Sequence, residues 1–343
     1  MRGKPPPSLN GLGARFRACG PRAAPSWAPP APGLGWRPRR HPPEPPVYPV
    51  EARASAPVPP TSEPSTAAPY CLTPVQQQAL AERYAPILYF HPDEQNFLQD
   101  PNTYIQQSTL RQERDFWGDK EVHGLGEVPP EELATIGKGN ETADGQLFLD
   151  HQNEQLGDGI RAGDLGNSKN LYQYDSATNT ITYHLFYSYN DGPPGLGDAQ
   201  NHEGDWEKIT VQLDSDFQPV EVRYSAHSGL DISRSWADAP KENGRPVSYV
   251  GQGSHANFPE TGHWETQAPT WVTTDVAASG GIRFDLADRP AVDVTAQAWY
   301  GGHVLWGERG SASEAGVGDT TGPTGPSSDK GPITDATPRE PLS

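Results

Sequence analysis

The chain has 343 residues with 38 Pro, 36 Gly and 2 Cys, and its 26 basic against 44 acidic side chains give a formal net charge of −18. Cys19 and Cys71 are too few for a disulfide framework or a four-cysteine metal site, and the acidity argues against a nucleic-acid binder, whose affinity for phosphates comes from Lys and Arg. No uninterrupted apolar stretch approaches the roughly 18 residues that a membrane-spanning helix needs.

The charge is unevenly distributed. Residues 1–70 hold 19 of the 38 prolines and a net of +6, which leaves −24 for the other 273 residues. A stretch such as PSWAPPAPGLGWRPRRHPPEPPVYP sustains neither a helix nor a central strand, because proline removes a donor and fixes φ. Residues 1–72 are therefore predicted to be a disordered basic arm. The prolines also interrupt every apolar run long enough for a secretory signal, so no standard export signal is legible.

The folded part is predicted over 73–310. It opens on a helix: Thr73-Pro74-Val75-Gln76 has the form of a capping box with Pro at the first helical position, and QQQALAERY must stop before Pro86. The period then changes to two. ILYFH, LYQYD, TITYHLFYSY, EKITVQL, VEVRYSAH, VSYVGQ and TWVTTDV are short, rich in Val, Ile, Thr and Tyr, and separated by Gly, Asp, Asn and Pro. This pattern predicts a mainly β fold, a β-sandwich with long loops and one N-terminal helix. Ser176 to Asn179 reads as a hairpin turn, with Asn179 left-handed. Residues 311–343, without aromatics, are predicted to be a mobile or surface-plastered tail.

The chemistry concentrates in YSYNDGPPGLGDAQNHEGDWEKITVQL. In the strand DWEKITVQL, Asp205 and Glu207 share the face of Ile209, Val211 and Leu213, the apolar one. Unpaired buried carboxylates cost several kcal/mol, so they require a partner. His202 on the incoming loop, with Asp191 and Asp198 on the Gly/Pro loop, supplies further donors. A mostly carboxylate set with one imidazole suits Ca²⁺, Mg²⁺ or Mn²⁺ better than Zn²⁺. The alternative is a β-bulge that reverses parity and leaves Asp205 and Glu207 in water or beside Lys208 and Arg223.

NHEGDWEKITVQ, a strand ending in SAHSG, VSYVGQGSHANFPETG, GGHVLWGERG and GPTGP occur in an order that resembles the Vps62-related proteins, as does the opening RYAPILYFHPDE. A more distant similarity is to the necrosis- and ethylene-inducing-peptide-like cytolysins. These are secreted β-sandwich proteins that bind a divalent cation and act on plant sphingolipid head groups. Their heptapeptide G-H-R-H-D-W-E falls on Asn201 to Glu207. The resemblance implies that His202, Asp205 and Glu207 lie at a metal, with Asp191 preferred over Asp198 as the remaining ligand. It also implies an extracellular setting. Gly204 in place of the second His, Asn201 in place of the leading Gly, and no counterpart of the early disulfide point away from plant-cell killing.

His227 and His255 follow strand ends and are candidates to converge on the same mouth as acid or base, or else to pack as hydrogen-bonded loop histidines. Gly251-Gln252-Gly253-Ser254 lacks the Lys and helix of a phosphate loop and reads as a turn, and Ser254 has no nucleophile-elbow context. Trp206, Trp236, Trp264, Trp271, Trp299 and Trp306 are candidates to stack on sugars or sit at a membrane interface but are expected mostly in the core, with Trp206 on the face opposite the apolar row unless a second layer covers it. His91 to Glu94 reads only as a turn. The expected function is a divalent-cation-binding sandwich that takes a glycan or lipid head group without turnover. The alternative is a metal-dependent hydrolase or lyase using His227 or His255.

Overall fold

The computed structural model describes residues 71–114, 118–140, 145–152, 163–194, 201–226, 230–268, 271–308, 321–327 and 337–338. The chain divides into two units, Met1–Cys71 and Leu72–Ser343. Apart from Cys71 the first unit, where the basic arm was expected, lies outside the described residues.

Helix α1 (Pro74–Tyr84) begins as its sequence dictates. The Gln76 amide donates to Thr73 Oγ1 at 3.3 Å, and the Thr73 amide donates to Gln76 Oε1 at 3.0 Å. The helix ends before Pro86, and its buried side carries Leu80, Ala81 and Tyr84. Tyr183 Oη donates to the Ala81 carbonyl at 2.9 Å, which ties the helix to the main sheet.

The strands in chain order are β1 (Ile87–Tyr89), β2 (Ser108–Gln112), β3 (Lys120–His123), β4 (Leu147–His151), β5 (Asn170–Asp175) and β6 (Thr180–Asn190). They continue with β7 (His202–Leu213), β8 (Pro219–Ala226), β9 (Leu230–Ser235), β10 (Lys241–Glu242), β11 (Arg245–Val250) and β12 (Asn257–Phe258). The last are β13 (Gly262–Ala268), β14 (Trp271–Ala277), β15 (Arg283–Asp285), β16 (Ala291–Asp293) and β17 (Thr337–Pro338). Two short helices, α2 (Pro101–Gln106) and α3 (Pro130–Leu133), lie in the long connections.

The main sheet has the order β16-β5-β6-β7-β8-β9. In it Ile181, Tyr183, Leu185 and Tyr187 of β6 stand opposite Val211, Ile209, Glu207 and Asp205 of β7. The apolar members of this row are at most 1% exposed, and each fully buried aliphatic side chain contributes about 1.5–3 kcal/mol. A second sheet, β10-β11-β1-β15 with β12 paired to β11, supplies the other inner face. Phe90 packs edge-on to Tyr187 across the gap. The fold is mainly β, a sandwich, as the strand pattern predicts. The β5–β6 hairpin turns through Asn179 at φ 57. Its side-chain amide donates to the carbonyls of Leu213 and Asp214, and its carbonyl accepts from Tyr174 Oη.

The opposite face of the main sheet is also covered over part of its area. Phe186, Trp299 and Trp306 join Tyr104, Leu110, Leu133 and Leu149 in a second core, and Trp206 packs against it partly buried. The sequence allows for a layer over Trp206 but does not show what forms it. Its three-stranded sheet β3-β2-β4 is short and mixes charged with apolar residues, so neither period shows clearly. Residues 321–327 help to close it. The Trp306 amide donates to the Pro323 carbonyl at 2.8 Å, and Thr324 is buried. This part of the predicted tail has no aromatic side chain, yet it covers the core through backbone. A β-carbon on Gly322 would come within 2.6 Å of Gly307, so only small residues permit the approach.

Candidate functional site at the sandwich mouth

Three separate stretches of chain meet where β7 enters the sheet. The first is the loop closing the β11–β12 hairpin, in which the Gly251 amide donates to the Ala256 carbonyl at 2.8 Å and the His255 amide to the Gly251 carbonyl at 3.1 Å. His255 is left-handed there, at φ 55, and completely buried. The second is the start of the Gly/Pro loop after β6. The Asp191 amide donates to the Gly253 carbonyl at 3.0 Å, an approach possible because a β-carbon on Gly253 would lie 2.3 Å from the Gly192 oxygen. The third is the turn after β1. Its Glu94 carboxylate accepts from the amides of Gln95, Asn96 and Gly253 at 2.8–2.9 Å.

These stretches enclose a chain of charged groups. His255 Nδ1 donates to Asp205 Oδ2 at 2.8 Å, and Nε2 lies 3.6 Å from Glu94 Oε1. The imidazole stacks flat on Tyr187, with ring centroids 3.8 Å apart and planes 2° from parallel. Burial opposes a charge on His255, but Glu94 and Asp205 outweigh it and raise its pKa to about 9. Burial also works against ionised Glu94, yet His255 and the backbone amides hold its carboxyl below the usual range. Glu207, one step further into the row, behaves oppositely: burial first, then Asp205, push its carboxyl well up. Asp275 of β14 is fully buried nearby and accepts from Ser254 Oγ at 2.5 Å.

Asp205, Glu207 and His255 are thus brought together, whereas Asp191 meets this group through its backbone amide on Gly253, its exposed side chain accepting from Asn201 Nδ2 at 3.2 Å. His202 sits at the first residue of β7, where Nδ1 bonds the Gly204 carbonyl at 2.8 Å. Parity along Asp205 to Leu213 follows the sequence reading, with the odd residues buried. It does not extend back through Gly204, at φ 61: Glu203 Oε2 accepts from the His151 amide in the second layer. His227 and Asp198 lie outside the described residues. The sequence reading missed Glu94, Asp275 and Tyr187. Only the run FHPDE hinted at Glu94, because nothing local shows that a turn carboxylate will face a histidine 161 residues later.

The sequence profile of the vacuolar protein sorting-associated protein 62 family, Vps62, matches residues 66–296. The chain belongs to the Vps62 family. That span takes in the turn with Glu94, the Asp191 loop, β7 and the His255 turn. Among solved structures, similarity extends to one of a toxin fold for microbial attack and plant defense, at 15% identity, TM-score 0.35, covering 66% of this chain and 80% of that one. It extends also to NLPPya in complex with mannosamine, at 15% identity, TM-score 0.34, with 66% and 79% covered. No curated protein matches.

The donor types fit a hard divalent cation. His202, donating through Nδ1, keeps the Nε2 lone pair that a metal requires. Asp205 has one oxygen outside its bond to His255. The buried Tyr187 hydroxyl has no hydrogen-bond partner among the described residues, beside a group of carboxyls. The placement, however, is not a finished cage: among the described residues no three of His, Cys, Asp and Glu are grouped as a metal requires. Among the described side chains the tryptophans form no sugar platform at this mouth. Trp264, Trp299 and Trp306 are buried, Trp206 faces the second core, and Trp236 lies beside Tyr84 and Lys241. Among the described residues no helix is long and apolar enough to cross a membrane.

Proposed function

We propose that this protein is a cation-dependent binding sandwich, with Asp191, His202, Asp205 and Glu207 holding Ca²⁺, Mg²⁺ or Mn²⁺ at the mouth. The observation that carries the reading is the position of Asp205 and Glu207, 6% and 9% exposed on the core row of β7 beside buried Asp275. His255, the cation in contact with Asp205, is already shared with Glu94. A divalent ion would supply the positive charge that this carboxylate group lacks.

The ligand class is a polar head group, glycan or lipid, without net negative charge, since a domain carrying −24 repels polyanions. Binding without turnover is preferred because His255 is enclosed by Tyr187, Asp205 and Glu94, with no surface to offer a substrate.

The test is metal content and melting temperature of the full chain, with and without chelator, for wild type and Asp205→Ala. The wild type should carry one ion and gain about 2.7 kcal/mol at a cation concentration a hundred times Kd; the variant should show neither. A wild type without stoichiometric metal and indifferent to chelator overturns the proposal. Cation-dependent retention on liposomes or polysaccharide, with no product formed, separates binding from hydrolysis.

A further inference from the structure

We infer that the strip Leu305-Trp306-Gly307 is a peptide-recognition site, selective for an uncharged, extended Gly-Pro-Thr-Gly chain, and that residues 322–325 of this protein occupy it in cis.

The occupant is a tandem repeat. Thr321 to Pro326 reads Thr-Gly-Pro twice, so its glycines recur every three residues. An extended polyproline-type chain has about three residues per turn and therefore turns the same residue of each repeat to one side. Burial follows that period: Gly322 and Gly325 are buried, with Thr324 between them, whereas Pro323 and Pro326 are half-buried. Neither glycine has a left-handed φ, so the surface beneath, and not the backbone, is what excludes a side chain. A β-carbon on Gly322 would stand 2.6 Å from Gly307, and one on Gly325 would stand 3.0 Å from Trp306 Nε1.

Main-chain bonds set the register. The Trp306 amide donates to the Pro323 carbonyl at 2.8 Å, the Gly322 amide donates to the Glu308 carbonyl at 3.0 Å, and Thr324 forms an antiparallel bridge with Leu305. The donors in the first two bonds belong to Trp306 and Gly322, so proline at 323 and 326 costs neither bond and pre-sets the extended conformation. Trp306 itself is held rigid by Tyr104, Phe186, Trp206 and Trp299. An aromatic floor that reads main chain in a proline-set conformation is a recurring mode of peptide recognition. Cover alone would be supplied better by a large apolar side chain, and Thr321 to Ser327 presents none. The segment is also uncharged, which suits a strip beside Glu203 and Glu308 in a domain of net −24. Tethered in cis, it acts at an effective concentration of about millimolar, so a partner carrying the same repeat enters by competing with it.

The test starts from the full chain with protease sites placed within 309–320 and within 328–336, because β17 holds the C-terminal side separately on β13. After both cuts no covalent tie keeps 321–327 in place. A fluorescent peptide of the sequence Thr321 to Ser327 should then exchange into the cut protein to saturation. The same peptide with Ala at the Gly322 position should bind roughly ten- to a hundredfold more weakly. The uncut chain should take up the first peptide only at about millimolar concentration. Affinities of the two peptides within twofold of each other, or no uptake of either by the cut protein, overturn the inference. If the cut protein unfolds as the segment leaves, near-ultraviolet circular dichroism becomes the readout: recovery with the first peptide and not with its Ala counterpart supports the site, and equal recovery or none overturns it.

Discussion

Gly204 stands at φ 61, and a β-carbon there would lie 2.1 Å from the Trp306 carbonyl oxygen. Gly204, one of the three residues at which Asn201 to Glu207 departs from the cytolysin heptapeptide, is therefore required by the second core, which lies against β7 at that point. Gly204→Ala should cost on the order of 2–4 kcal/mol, from strain and clash together, measured by urea denaturation; an unchanged midpoint would mean that the Trp306 segment yields without cost. His151 shows the opposite kind of constraint. It is buried, stacked on Tyr104 and bonded near Gln107. Burial lowers its pKa to about 4, with Asp150 partly offsetting the effect. A folded pKa below the unfolded value of about 6.5 means that the stabilisation is complete above pH 6.5 and is lost as pH falls towards 4. The loss should reach on the order of 3 kcal/mol. Melting temperature against pH should therefore be flatter over this range for His151→Gln than for wild type, although the variant is less stable at neutral pH.

At the level of elements, local chemistry and pairing agree wherever the sequence was readable. The capping box starts α1, and Pro86 limits it. The β5–β6 hairpin depends on Asn179 twice, through its left-handed backbone and through an amide that reaches the end of β7. Asn179→Gly keeps the first and loses the second, while Asn179→Ala loses both. The expected order of stability is wild type, then Gly, then Ala, with Ala about 2–3 kcal/mol below wild type by thermal unfolding. Equal stability of the two variants would show that the backbone conformation costs nothing here. The β11–β12 hairpin was legible only in part. VSYV is a plain strand, Gly251 to Ser254 reads as a turn and His255 as a candidate for the mouth, but that Glu94 joins Asp205 on this loop is not legible, because the two carboxylates come from distant residues.

For the whole molecule, the main sheet is covered on both faces, and residues 321–327 complete one of the covers. Trp306 donates its amide to Pro323, and a β-carbon on Gly325 would come within 3.0 Å of its indole nitrogen. A chain ending at Glu308 should therefore lose several degrees of melting temperature relative to one ending at Ser327, because it uncovers Trp306 and leaves its amide without that partner. Equal melting temperatures would assign the segment no part in the core.

The sequence by itself determined the sandwich, the start and end of the first helix, the hairpin at Asn179, and the inward placement of Asp205 and Glu207. Each of these follows from a period, a cap or a turn that spans a few residues, and local interactions suffice to set it. Only the tertiary structure decided that Trp206 faces a second core and that His255 lies between Asp205 and Glu94. Only the tertiary structure, too, decided that Gly204 ends the parity of β7 and that a glycine-rich segment near the C-terminus closes over Trp306. These are contacts between residues tens to more than a hundred positions apart. They depend on which segments the folded sheets bring together, and no local pattern encodes that.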